Sequence, residues 1–358
     1  MDAAALRAEF PVLAQLAYLN AGTQGPVPAR AAAAATATVE HERDAGRGDT
    51  AHFEALFALG ERMRAHVARL FACDADEVAL THSTTDGMNA VLGALDLGPG
   101  DEVLTSDEEH PGLLGPLATN RDRRGFDVRV APFAEIANAI GPRTKLVACS
   151  HVSWVNGKVV DTAALAAADP LVLFDGAQGL GALPTPMREL GCDFYGAAGQ
   201  KWLCGPDGNG YLYVRGDLSA DLPAPWSSYT TFADPSDPLG SGLKPGARRF
   251  DLGFSAPHWS WSVAALDLLA DAGWDELLAR GPALAARLAG ELTERGVQVE
   301  PRGPSTLVSW RSEDEAAETR RLADAGVRVR DIPGHGLVRA SVGAWSSEED
   351  LERLLAAR

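Results

Sequence analysis

Apolar runs of strand length recur at 78–81, 102–106, 126–130, 145–150, 171–174, 193–196 and 211–214. Between several of them the apolar positions take helical spacing, as at Phe53, Leu56, Phe57, Met63, Val67 and Leu70. Strands alternating with helices are the pattern of a mostly parallel sheet flanked by helices. Ahead of this region, 1–19 reads as a short amphipathic helix, a turn at Pro11 and an extended segment. Pro28 suits the first turn of the alanine-rich helix that follows and runs on into Glu40–Arg43. The stretch 215–250 has no period and holds Pro223, Pro225, Pro235, Pro238 and Pro245, so it reads as a long loop. Residues 263–292 read as one helix, and from Val297 a smaller alternation begins. Its strands start at 297, 306–310, 327–330 and 336–341, with helices at 313–325 and, capped by SSEED, at the end. The expected fold is α/β: a large domain with a mostly parallel sheet flanked by helices, plus a small α+β C-terminal domain. The boundaries are an N-terminal segment 1–20, a large domain 21–262, and a linking helix with the small domain 263–358.

Strand tips in open α/β sheets face a crevice, so polar residues there are the first candidates for chemistry. Asp175 ends the run 171–174, and Lys201 follows 193–196 inside a turn with Gly199, Gly205, Gly208 and Gly210. Taken singly, Asp175 suits a turn cap and Lys201 a surface lysine. Taken together, they are the pair that pyridoxal phosphate chemistry needs. A lysine amine holds the aldehyde as a Schiff base, and a carboxylate keeps the ring nitrogen protonated. The words DGAQ and GQKWLCGPDGNGYLYV resemble those of the class V aminotransferase family. That family of fold-type I pyridoxal phosphate enzymes includes cysteine desulfurases and isopenicillin N epimerase-like proteins.

The resemblance assigns further roles as expectations. YLNAGTQGPVP is similar to the family's opening near the substrate mouth. The segment 82–87, HSTTDG, joins a strand to a helix N-terminus, where free amides and the helix dipole favour a phosphate. Capping by Ser83 or Thr84 is an equally good local account. The resemblance puts the phosphate on Thr84, Thr85 and Gln200, the cofactor ring against His110, and the ring nitrogen on Asp175. Gln178 would meet the phenolic oxygen, with Ala177 beneath the ring. VRAS carries Arg339, whose guanidinium fork would clamp the substrate α-carboxylate. Catalysis would rest on Lys201, Asp175 and His110.

The sequence also departs from the family. Trp154 stands where an Asn is common, and Asn156 lies two residues on. Ala198 and Gln200 replace a Ser and a His that touch phosphate, and Phe254 replaces a Thr that reaches the partner subunit's phosphate. Trp226, Tyr229 and Phe232 are candidates for lining the site across a dimer interface, against a surface excursion with incidental aromatics. His258, Trp259 and Trp261 read as packing or interface residues. No cysteine follows Cys204, and the connection 331–336 is too short for the mobile cysteine loop of desulfurases. The persulfide mechanism therefore lacks its nucleophile. The expected activity is that of an aminotransferase or a β-eliminating C–S lyase on an amino-acid substrate. The alternatives are a desulfurase-like enzyme without the loop cysteine, an amino-acid epimerase, or an inactive interaction protein retaining the fold.

Composition narrows the partners. The 358 residues carry a net charge of −17 with no basic cluster, which speaks against nucleic acid. Four cysteines without C-x-x-C spacing speak against a metal site and a disulfide framework. No G-x-G-x-x-G follows a first strand, so a dinucleotide enzyme is disfavoured. Neither a signal-like segment nor an apolar stretch of membrane-spanning length is present, and the expectation is a cytoplasmic protein with no membrane partner. The family resemblance implies a homodimer with active sites at the interface.

Overall fold

Seven of the apolar runs become the strands of one sheet in the computed structural model, which describes residues 1–253 and 255–358. After a short first strand, β1 (Ala17–Tyr18), these are β2 (Val78–Thr81), β3 (Glu102–Ser106), β4 (Asp127–Ala131), β5 (Thr144–Ser150), β6 (Leu171–Asp175), β7 (Phe194–Ala198) and β8 (Gly210–Val214). Their order is β2-β8-β7-β6-β5-β3-β4. β8 runs antiparallel to both neighbours, and every other adjacent pair is parallel.

Helices cover both faces, which is why these strands are apolar at consecutive positions. Leu146 and Ala148 of β5 pack on the side of helices Thr84–Ala94 and Pro111–Arg124. Val147 and Cys149 pack on the side of helices Thr50–Phe71 and Ala256–Ala272. Full burial of each such side chain contributes about 1.5–3 kcal/mol, so the sheet sits in a two-sided core. Its central parallel strands all end at the same edge. There Asp175 of β6 lies in register with Ser150 of β5 and Gly196 of β7.

A second, antiparallel sheet has the order β11-β12-β9, from β9 (Leu307–Arg311), β11 (Arg330–Ile332) and β12 (Leu337–Ser341). Helices Trp274–Glu294, Glu315–Asp324 and Glu348–Ala357 share its core. The remaining strand, β10 (Val327–Arg328), pairs in parallel with β1. Asn20 then bridges to Ser341, so the N-terminal segment is tied to the small sheet before it enters the rest of the molecule.

Three sequence expectations are corrected here. The stretch 263–292 is not one helix: it breaks at Gly273, whose φ of +95° suits a residue without Cβ. The strand expected from 297 is only an isolated bridge between Val299 and Trp310. The run 327–330 splits into β10 and β11, because its first half pairs with β1 and its end pairs with β12. The 215–250 segment is indeed largely irregular, with short helices at Gly216–Ser219 and Gly246–Phe250. No helix is long and apolar enough to cross a membrane among the described residues.

Candidate active site

The strand edge that carries Asp175 opens into a cavity of about 240 Å³. Thr84, Thr85, His110, Asp175, Gln178, Gln200, Lys201 and Arg339 all line it, so these eight residues meet in one place. Gly22, Thr23, Trp154 and Arg330 complete much of the wall. Two larger clefts, of about 1030 and 1130 Å³, lie elsewhere on the surface and contain none of these residues.

Each side chain is delivered by a local device. Asp175 is buried at the tip of β6, where Oδ1 accepts from the Ala177 amide at 3.0 Å. Lys201 sits in the turn after β7, closed by Gly199 N–H to Asn209 and Gly205 N–H to Gly199 at 2.8 and 2.9 Å. Among the described residues, Asp175 and Lys201 form no ion pair, although both face the cavity. Burial pushes the Lys201 amine down to about 8, opposed by the charge of Asp175 and assisted by Arg339 and Arg330. At pH 7 that leaves roughly one amine in ten neutral, against about one in three thousand for an ordinary lysine. Cofactor capture by the apoprotein, followed as colour development, should therefore quicken about tenfold per pH unit and level off above about pH 8. A profile still climbing at pH 10 would contradict this.

Ser83 caps helix Thr84–Ala94 by accepting from the Asp86 amide at 3.1 Å. The capping role is thus real. Among the described residues, Thr84 Oγ1 and Gln200 Oε1 are buried without a partner. His110 caps helix Pro111–Arg124, with Nδ1 accepting from the Gly112 amide at 3.0 Å. Its ring stands edge-on to Trp154 with centroids 5.2 Å apart. Partial burial, and then the charge of Lys201, lowers the His110 pKa. Gln178 Nε2 donates to the Gly22 carbonyl at 2.8 Å, and its Oε1 accepts from Trp202 Nε1 at 3.1 Å. Position 22 has no room for a side chain: a Cβ there would lie 2.7 Å from Ser341 Oγ and 2.9 Å from Gln178 Oε1.

Arg339 on β12 is fully buried. Its Nη1 donates to the Trp154 carbonyl, while Nε and Nη2 have no partner among the described residues. Burial and the neighbouring Arg330 push its pKa down to about 9. A buried guanidinium with two free N–H groups is costly unless an anion answers it. Arg330 stands opposite Arg339 in the β11–β12 ladder, and its guanidinium lies 5.9 Å from the centre of the Trp154 ring. Sequence reading missed Arg330. Pairing the two strands as a hairpin would have found it, since positions nine apart then face each other.

Asn156 is turned away from the cavity, donating to both oxygens of Glu108 at 2.9 and 3.0 Å. None of Trp226, Tyr229 and Phe232 lines the cavity of its own chain; Trp226 packs partly against the core and Tyr229 is 63% exposed. Phe254 lies outside the described residues. Trp259 is buried in the core, and Trp261 Nε1 donates to the Cys204 carbonyl at 2.8 Å.

The lining groups fit a ligand bearing anions. The Thr84 hydroxyl stands at a helix N-terminus, the Arg339 guanidinium has unpartnered nitrogens among the described residues, and the Lys201 amine and Asp175 carboxylate line the same cavity. This donor set suits a phosphorylated pyridine aldehyde together with a carboxylate-bearing substrate. Among the described residues no group of three or more His, Cys, Asp or Glu is placed to hold a metal ion.

Comparison with known proteins points the same way. The family described as Aminotransferase class-V matches residues 18–354. The isopenicillin N epimerase of Streptomyces clavuligerus is 28% identical over 370 residues, covering 94% of this chain and 92% of that protein. The probable cysteine desulfurase of Methanothermobacter thermautotrophicus is 30% identical over 230 residues, or 61% of this chain, and the match spans 57% of that relative's length. Among solved structures, the complex between the cystine C–S lyase C-DES and its reaction product cysteine persulfide is similar with a TM-score of 0.91. It is 29% identical and covers 97% of this chain and 98% of that one.

Proposed function

The chain belongs to the class V aminotransferase family and is a pyridoxal-phosphate-dependent enzyme, and we propose that it is a β-eliminating C–S lyase. Its proposed substrate is an amino acid with a second carboxylate beyond the sulfur, as in cystine. The observation that carries this reading is the pair Arg339 and Arg330 lining one cavity. One guanidinium suits the α-carboxylate and the other the distal carboxylate.

Two further observations support elimination over desulfuration. Among the described residues no cysteine lines the cavity, and burial raises the thiol pKa of Cys149, Cys192 and Cys204, which keeps them protonated. The link between β11 and β12 is a tight turn at 333–336, without room for a mobile loop.

Bound pyridoxal phosphate supplies an aldehyde and an electron-withdrawing ring. Lys201 would hold the aldehyde, and its amine Nζ would take the proton from the substrate's Cα. Asp175 would keep a proton on the ring nitrogen. Thr84, Thr85, Gln200 and the helix amides would hold the phosphate. Gln178 would offer its second Nε2 hydrogen to the phenolic oxygen, and His110 would lie against the ring. The overall change is cystine plus water to pyruvate, ammonia and cysteine persulfide. Cystine should yield pyruvate and persulfide in equal amounts; alanine with sulfane sulfur, or a keto acid that depends on an added amino acceptor, would refute the assignment. Arg330→Ala should raise the KM for cystine by about tenfold to a hundredfold and leave that for an S-alkylcysteine nearly unchanged. Equal effects on both substrates would remove Arg330 from distal-carboxylate recognition. We further propose a cytoplasmic location and a homodimer, the latter supported by exposed Phe53 and Phe57 on helix Thr50–Phe71; sedimentation as a monomer would count against the homodimer.

A further inference from the structure

Glu108 lies just beyond the tip of β3 and outside the cavity lining, yet its carboxylate gathers three side chains of a single turn. It accepts from Ser153 Oγ at 2.5 Å, from Asn156 Nδ2 at 2.9 and 3.0 Å, and from Lys158 Nζ at 2.8 Å. Such charge-assisted bonds from a half-buried cluster are stronger than neutral ones and fix geometry. The turn also closes on itself. Ser153 N–H donates to the Lys158 carbonyl at 2.8 Å, Gly157 N–H to the Ser153 carbonyl at 3.0 Å, and Lys158 N–H to Asn156 Oδ1 at 3.0 Å.

The far side of the same turn reaches the small sheet. Its carbonyls at Val155 and Gly157 accept from Ser309 Oγ and Ser305 Oγ at 2.6 and 2.7 Å. Its carbonyl at Trp154 accepts from Arg339 Nη1. That is the only partner holding the buried guanidinium among the described residues, whose Nε and Nη2 stay free. The orientation of the fork is therefore set by a backbone carbonyl, and that carbonyl is placed by Glu108.

We propose that Glu108 is a positioning residue for substrate recognition: through the 153–158 turn it sets the Trp154 carbonyl that orients Arg339, and thereby the affinity for the substrate α-carboxylate. The proposal rests on Arg339 being that anchor. A bidentate contact needs both N–H groups in a fixed plane, so a loosened turn weakens carboxylate binding without touching the ligand. Glu108→Gln keeps the shape but loses the charge that Lys158 and Asn156 answer.

The test uses the holoenzyme and glycine, which offers an α-carboxylate and no side chain, with its Kd read from the change in cofactor absorbance. Glu108→Gln should weaken glycine binding by about tenfold while the spectrum before glycine stays as in the parent. In an Arg339→Lys background, the same substitution should change the Kd less than about twofold, because the path it acts through is already cut. Lys158→Met, which removes one of the bonds and spares the carboxylate, should act in the same direction with a smaller factor and serves if Glu108→Gln does not fold. An unchanged Kd in both Glu108→Gln and Lys158→Met, or effects of Glu108→Gln and Arg339→Lys that simply multiply, overturn the proposal alone. An Arg339→Lys variant with the parent's affinity overturns the anchor reading and the proposal with it.

Discussion

Lys201→Ala is expected to lower turnover by about 10,000-fold or more, because in the proposed function one amine would serve both as the link to the cofactor and as the base at Cα. The loss should appear in kcat for pyruvate release, with a matching loss of the covalent adduct. Borohydride treatment followed by intact-protein mass measurement should show the cofactor's mass on the parent and none on the variant. Retention of that mass would place the link on another residue. The fold is not at stake, since Lys201 contributes only its carbonyl to the surrounding turn, accepting from Cys204 N–H at 3.2 Å. The lowered amine pKa serves the same end as the adduct test, since only a neutral amine attacks an aldehyde.

Asp175→Ala is the second large effect, expected to reduce kcat by about 100-fold to 1000-fold, the scale on which removal of one preorganised electrostatic partner is felt. On the proposed role, a ring nitrogen without the carboxylate would lose its proton and the ring would withdraw electrons less well. The colour of bound cofactor should persist, which separates this variant from Lys201→Ala. A second signature follows from the cavity's electrostatics. Asp175 raises the Lys201 pKa against burial and the two arginines, so its removal should move the plateau of cofactor capture to a pH below about 8. Unaltered kcat together with an unmoved plateau would remove Asp175 from the ring nitrogen. Asp175→Asn, which keeps an acceptor for the Ala177 amide, distinguishes loss of charge from collapse of the strand tip.

Much of this site was legible because strand-tip chemistry is locally encoded. The run ending at Asp175, the glycine-rich turn around Lys201 and the hydroxyls of 83–85 are each visible in short stretches, but singly they suit caps and a surface lysine; the pair taken together and the family resemblance gave them their roles. The cap by Ser83 is also local, since it depends on the residues that start a helix; the lowered His110 pKa is not, since it depends on burial and on Lys201. The break at Gly273 was legible in principle, as a glycine between two helical patterns, but apolar periodicity ran through it. Arg330 was missed because 327–330 was read as one strand. Its actual division depends on β10 taking a partner from the other end of the chain. Trp154 was assessed by its ring, whereas the structure uses its carbonyl, and no side-chain pattern reports on a carbonyl.

What the sequence determined by itself was the sheet, its two-sided burial, and the identity of the groups available at its edge. Alternating short apolar runs with amphipathic helices leaves little other way to bury both faces. Only the tertiary structure decided which of those groups share one cavity, because convergence depends on strand order and on contacts between the two sheets. Ala17 meets Val327, Arg330 meets Arg339, and the 153–158 turn joins Glu108 to the small sheet. These are long-range pairings, selected by the packing of the whole chain and carried by no local spacing.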